Sequence, residues 1–109
     1  QELGLKDSAF IVAETEERII GFAVARHIAG EAELFKIAVL TEYRRKGVAV
    51  SILKEIIRLI DPRKIFLEVS ESNSAARAFY ETMGFRKNGE RRGYYGNENA
   101  VLMEWNNED

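Results

Sequence analysis

The chain has 109 residues, 46% of them hydrophobic and 31% charged, with a formal net charge of −2. That is the balance of one folded globular domain, and the absence of a basic excess argues against a general nucleic-acid or membrane-surface binder. With no cysteine and a single histidine, His27, there is no disulfide framework, no thiolate nucleophile and no His-rich metal centre, so the expected metal content is none. No apolar run approaches the ~20 residues of a membrane span, and neither a signal peptide nor an internal repeat is recognisable. A cytoplasmic location is expected.

In chain order, Phe10 to Glu14 and Arg18 to Arg26 are apolar runs separated by Thr15-Glu16-Glu17, a spacer of hairpin length. His27 to Glu31 then turns the chain into a third strand, Ala32 to Leu40, and His27 reads as a surface residue. Next come Tyr43-Arg44-Arg45-Lys46-Gly47 and an amphipathic helix, Gly47 to Ile60, whose Val48, Ala49, Ile52, Leu53, Ile56, Ile57 and Ile60 recur on one face. Asp61-Pro62 stops it. Lys64 to Ser70 is a strand, and strand, helix, strand implies a crossover with parallel strands. Ser72-Asn73-Ser74 caps a second helix, Ala75 to Met83, which ends at Gly84. A last hairpin pairs Phe85 to Lys87 and Arg91 to Tyr95 with Ala100 to Trp105 around a Gly96 to Asn99 turn, and the tail from Asn106 frays. The sum is a mixed α/β sheet with helices on both faces.

Three features carry chemistry. The first is the cationic run before Gly47, where unpaired N–H groups of the first helical turn and the positive end of the helix dipole favour phosphate, and a glycine allows close approach to the main chain. A solvated basic surface is the bland alternative. The pattern is neither a Walker loop nor a dinucleotide fingerprint. The second is Glu68, which shares a strand face with Phe66 and Ser70 while Ile65, Leu67 and Val69 share the other. A partly desolvated carboxylate is a better base, although a glutamate on a wet strand face fits the same spacing. The third is Tyr80, seven residues after Asn73 on one helix, so that Asn73, Ala76 and Tyr80 form a stripe about 10 Å long. A phenol of ordinary pKa about 10 can protonate a thiolate whose own value is near 8.5. Tyr80 also reads as a core aromatic beside Phe79 and Met83.

Arg44-x-x-Gly47-x-Ala49 resembles the pyrophosphate loop of the GNAT superfamily of N-acetyltransferases. Leu67-Glu68-Val69, Asn73, Ala76, Tyr80-Glu81 and Gly84-Phe85, with Tyr94-Tyr95 beyond them, resemble the ribosomal-protein-alanine N-acetyltransferases of the RimI type, and the likeness runs from about Glu31 to Tyr95. The resemblance implies a GNAT-like acyl-CoA acyltransferase fold with a mostly antiparallel, twisted sheet, and acetyl-CoA as acetyl donor. Glu68 would accept the amine's proton through a water, Tyr80 would protonate the coenzyme A thiolate, and Asn73 would contact the cofactor. Main chain of Ile37, Ala38 and Val39 would bind the pantetheine arm. Arg44, Arg45, Lys46, Gly47, Val48 and Ala49 would wrap the pyrophosphate, and Tyr94 and Tyr95 would line the groove for the acceptor.

The implied partner is a protein or peptide N-terminus, the terminal alanine of a small-subunit ribosomal protein foremost, with no nucleic acid and no membrane. Acetylation of lysine or a small amine is the alternative within enzymes, and a non-catalytic coenzyme A-binding module or a nucleic-acid binder using Arg44-Arg45-Lys46 and Arg91-Arg92 lies outside them. Against the family pattern, Gly93 stands where asparagine usually precedes the tyrosine pair. The chain also opens at Gln1 without the strand and two helices that precede Phe10 in the family, so residues 1–109 are expected to be a single N-acetyltransferase domain shortened at its start.

Overall fold

In the computed structural model, which describes residues 8–15 and 17–107, strands β1 (Ser8–Glu14), β2 (Ile19–Ile28) and β3 (Glu31–Val39) form an antiparallel meander. Helix α1 (Val48–Ile60), strand β4 (Lys64–Ser70), helix α2 (Ser74–Thr82) and the hairpin β5 (Arg86–Tyr95) and β6 (Glu98–Asn106) follow. All the strands join one sheet in the order β1-β2-β3-β4-β6-β5, in which β3 with β4 is the parallel pair. The expected mixed, mostly antiparallel sheet is present.

Strand ends differ from the sequence expectation where turns are tighter. β2 runs on through Ile28 because Ala29 (φ 52°) and Gly30 (φ 83°) make a two-residue turn with both residues left-handed, the geometry that matches the twist of the flanking strands. The last hairpin likewise closes on Gly96 (φ 69°) and Asn97, so β6 starts at Glu98. In the first turn Thr15 N–H donates to Arg18 O at 2.9 Å; Glu16 there, and Glu108 and Asp109 of the tail, lie outside the described residues.

α1 buries Ile52, Leu53 and Ile56 against Ala23, Ala25, Leu34, Ile65, Leu67 and Met103. Each such side chain contributes about 1.5–3 kcal/mol by leaving water. The helix ends as expected, at Asp61 (φ 51°), whose N–H donates to Ile57 O at 2.8 Å ahead of Pro62. Ala76, Tyr80 and Met83 of α2 pack on the same core.

Both described helices therefore share one face of the sheet, where the sequence reading places helices on both. The reason is topological. α1 links β3 to β4 and α2 links β4 to β5, and the two parallel crossovers advance in the same direction along the sheet. Connections of one hand and one direction lie on one side. Register confirms it: Ala25 opposes Leu34, Ala32 opposes Ile65 and Leu67 opposes Met103 on the helix face, whereas Phe22 opposes Ala38 and Glu68 opposes Leu102 on the other.

Candidate active site

β3 and β4 pair only at Glu31 with Lys64, Ala32 with Ile65 and Glu33 with Phe66. Beyond Glu33 they diverge. The cause is visible one strand over: Val24 opposes Lys36 but Ala25 opposes Leu34, so Phe35 is an extra residue in β3. Such a bulge bends its strand. The result is a gap between the two strands, on whose helix side a cleft of about 680 Å³ is lined by Ile37, Ala38 and Val39 from β3, by Tyr43 to Arg45 and Gly47 to Val50, and by Asn73, Ala76 and Tyr80. Main-chain groups of β3 that β2 does not use open into it, and can pair with an extended amide-bearing ligand as a strand would.

At the cleft's far end Gly47 is the N-cap of α1 with φ 81°, and no side chain caps the helix. The N–H groups of its first turn remain available to an anion. A Cβ on Gly47 would meet nothing within 4 Å, so the left-handed backbone, and not crowding within the protein, demands glycine here. Arg44 and Arg45 line the cleft. Arg44 Nε donates to Val39 O at 3.0 Å, tying the loop to the end of β3. Lys46 is exposed and lies outside the cleft wall, between the left-handed Arg45 (φ 65°) and Gly47. Arg18 braces the loop from β2's start: its guanidinium donates to Glu42 Oε2 at 2.6 Å and lies 5.7 Å from the centre of the Tyr43 ring.

Asn73 caps α2 as expected, its Oδ1 accepting from Ala76 N–H at 3.1 Å, which leaves its amide NH₂ for a ligand. Tyr80 sits between Phe79 and Phe85, with ring centroids 5.3 and 5.4 Å away. Burial pushes its phenol above the ordinary tyrosine value. Glu68 lies on the opposite face of the sheet, a quarter exposed, and accepts from Arg91 Nη2 at 2.6 Å. The apolar surroundings expected for Glu68 are thus replaced by an ion pair. Strand alternation is as expected, with Ile65, Leu67 and Val69 buried and Glu68 between them on the other side.

The structure brings Ile37 to Val39, Arg44, Arg45, Gly47 to Ala49, Asn73 and Tyr80 to one cleft, leaves Lys46 outside its wall, and sets Glu68 across the sheet from them. The side chains of Tyr94 and Tyr95 lie outside the described residues. A family model described as "Acetyltransferase (GNAT) family" matches residues 1–85. The chain belongs to the GNAT acetyltransferase family. A curated relative, the ribosomal protein bS18-alanine N-acetyltransferase of Salmonella typhimurium, is 37% identical over 95 residues, which is 81% of this chain and 64% of the relative. The chain thus spans less than two thirds of the curated proteins it first matches. Among solved structures, the ribosomal-protein-alanine N-acetyltransferase of Escherichia coli superposes with a TM-score of 0.85 at 30% identity, over 93% of this chain and 70% of that one. The PaiA N-acetyltransferase of Thermoplasma acidophilum, solved in complex with coenzyme A, gives 0.82 at 25% identity over 97% and 65%.

Within this GNAT chain the cleft also recruits Tyr43, Val50, Ala75 and Phe79, which the sequence reading did not assign to it. Val50 and Ala75 were legible as the first turns of their helices, since both helices point their N-termini at the cleft. Tyr43 and Phe79 carried no signal beyond ordinary core aromatics. Gly93 takes φ 63° and its N–H donates to Asn99 Oδ1 at 2.9 Å. Glycine adopts that left-handed geometry without a steric penalty.

Proposed function

We propose that the chain forms the donor-binding and catalytic part of an acetyl-CoA-dependent N-acetyltransferase acting on an α-amino group, with the N-terminal alanine of a small-subunit ribosomal protein as the foremost acceptor. What supports this reading is the divergence of β3 and β4 beyond Glu33, with the Tyr80 cleft on one face of the sheet and Glu68 on the other. Acetyl-CoA would lie in the cleft, pantetheine along Ile37 to Val39 and pyrophosphate on the first turn of α1, with Arg44 and Arg45 beside it and Lys46 contributing charge from outside the wall. The acceptor would approach from the face opposite the described helices, past Tyr94 and Tyr95.

The chemistry divides between the faces. The amine nitrogen forms a bond to the thioester carbonyl carbon while its proton passes to Glu68 through a water, and the C–S bond breaks as Tyr80 gives its proton to the sulfur. A main-chain N–H near Val39 stabilises the oxyanion. No protein nucleophile is needed, in keeping with a chain that has no cysteine. Names of relatives support the acceptor class, since the Salmonella protein is named for an alanine N-terminus.

Incubation with acetyl-CoA and a short peptide beginning with free alanine, followed by mass spectrometry, tests the reading. One acetyl group on the α-amine is the expected product. A protein that binds coenzyme A yet leaves every amine unmodified would refute the enzymatic reading and favour a coenzyme A-binding module.

A further inference from the structure

The carboxylate proposed as the base is not at rest an open base. Glu68 is bonded to Arg91, whose side chain is half exposed. Arg91 stands opposite Ala100, which stands opposite Ser70. This places Arg91 in the row between Glu68, two residues before Ser70 on β4, and Glu98, two residues before Ala100 on β6. Diagonal positions of this kind lie within reach of a long side chain.

Glu98 is prepared to receive a cation. Its carboxylate accepts from the Ser70 hydroxyl and from the Ser72 hydroxyl, the latter at 2.9 and 3.0 Å. Those hydroxyls, Ser70 foremost, hold it below the usual carboxylate range, so it stays charged.

Resting on the proposed function, we infer that Arg91 is a displaceable counter-ion that masks Glu68 in the free protein and passes to Glu98 when an amine acceptor arrives. An α-ammonium entering from the open face competes with the guanidinium for Glu68. The Arg91 guanidinium swings from Glu68 on β4 to Glu98 on β6, the strand beside its own, instead of being driven into water. Exposed ion pairs are weak, so the exchange costs little and the acceptor itself triggers it. Arg91 acts through Glu68 and is a positioning residue.

The test is the affinity of a peptide with a free N-terminal alanine for the coenzyme A-loaded protein, measured by calorimetry at low salt, where no transfer can occur. Arg91→Gln should bind the peptide about two- to five-fold more tightly, as expected for loss of an exposed competing pair, and Arg91→Lys should remain near wild type. Glu98→Gln should weaken binding by a similar factor, and this effect should vanish in the Arg91→Gln background. A contact that merely supports the fold would weaken binding in Arg91→Gln, and that result overturns the inference, as do equal effects of Glu98→Gln in both backgrounds. A wild-type protein that binds no such peptide overturns it too. One that binds the peptide but transfers no acetyl group refutes the proposed function alone, and the Arg91 comparison still stands.

Discussion

In the proposed mechanism Tyr80 must still hold its proton when the thiolate leaves, and burial beside Phe79 and Phe85 favours the neutral phenol. A phenol raised above about 10 is neutral throughout the neutral range, so an alkaline fall in kcat below that pH would have to come from another group. The sign for stability follows. The folded chain disfavours tyrosinate, so this contribution is fully present below the ordinary value of about 10 and is lost as pH rises through the higher folded value. Tyr80→Phe should therefore flatten the alkaline end of a urea-midpoint curve taken between about pH 9 and 11. In kinetics, Tyr80→Phe and Glu68→Gln should each lower kcat by about 10²–10⁴ while leaving coenzyme A affinity nearly unchanged, the usual range for a positioned proton donor or acceptor. A Tyr80→Phe enzyme with full kcat on acetyl-CoA would reduce Tyr80 to a core aromatic. An activated thioester, whose thiolate needs no proton, should rescue that variant but not Glu68→Gln.

At the scale of elements, two glycines set the cleft. Gly47 holds φ 81° with open space around it, so Gly47→Ala should cost about 1–2 kcal/mol for a left-handed residue with a Cβ, measured by denaturant unfolding. Gly47→Val should add a steep loss of coenzyme A affinity, because its branched side chain would project where the pyrophosphate is proposed to bind. Unchanged affinity in calorimetry would mean that the pyrophosphate binds elsewhere. Gly21 differs, since a Cβ there would stand 2.9 Å from Ala38 O and 3.2 Å from Ile52 Cδ1. Gly21→Ala should destabilise by about 1–3 kcal/mol and push β3 where it floors the cleft. What could be read from sequence was local. The α1 stripe, the Asp61-Pro62 stop, the Asn73 cap and the β4 alternation each declare themselves within a few residues. The Phe35 bulge did not, because Leu34-Phe35-Lys36 carries no glycine or other irregular residue, and the register of β2 against β3 is a long-range property. The single helix-covered face escaped for a like reason, since it follows from the order of strands in the sheet. Glu68 was legible as a carboxylate out of place, but its partner Arg91 lies 23 residues on in another strand.

For the whole molecule, the proposed reaction makes the choice of amine a question of proton affinity. The proposed base is a single carboxylate bonded to an arginine, with no described arrangement that would strip a proton from a strongly basic amine. An α-amino group near 7.7–8.0 presents far more neutral amine at pH 7 than a lysine near 10.4, by roughly 230- to 420-fold from those values alone. With similar binding, that ratio by itself should favour a free N-terminus over an internal lysine by a comparable factor in kcat/KM. The comparison is direct. One peptide carries a free alanine N-terminus and no lysine, and a second is N-terminally blocked and carries one lysine. The first should be acetylated at least about 100-fold faster, and the gap should narrow as pH rises from about 7 to 9, because the α-amine is by then largely neutral while the neutral fraction of lysine still grows tenfold per unit. Equal rates at pH 7 would sink the N-terminal reading, since the chain would then have to offset the far smaller neutral fraction of lysine with a single carboxylate.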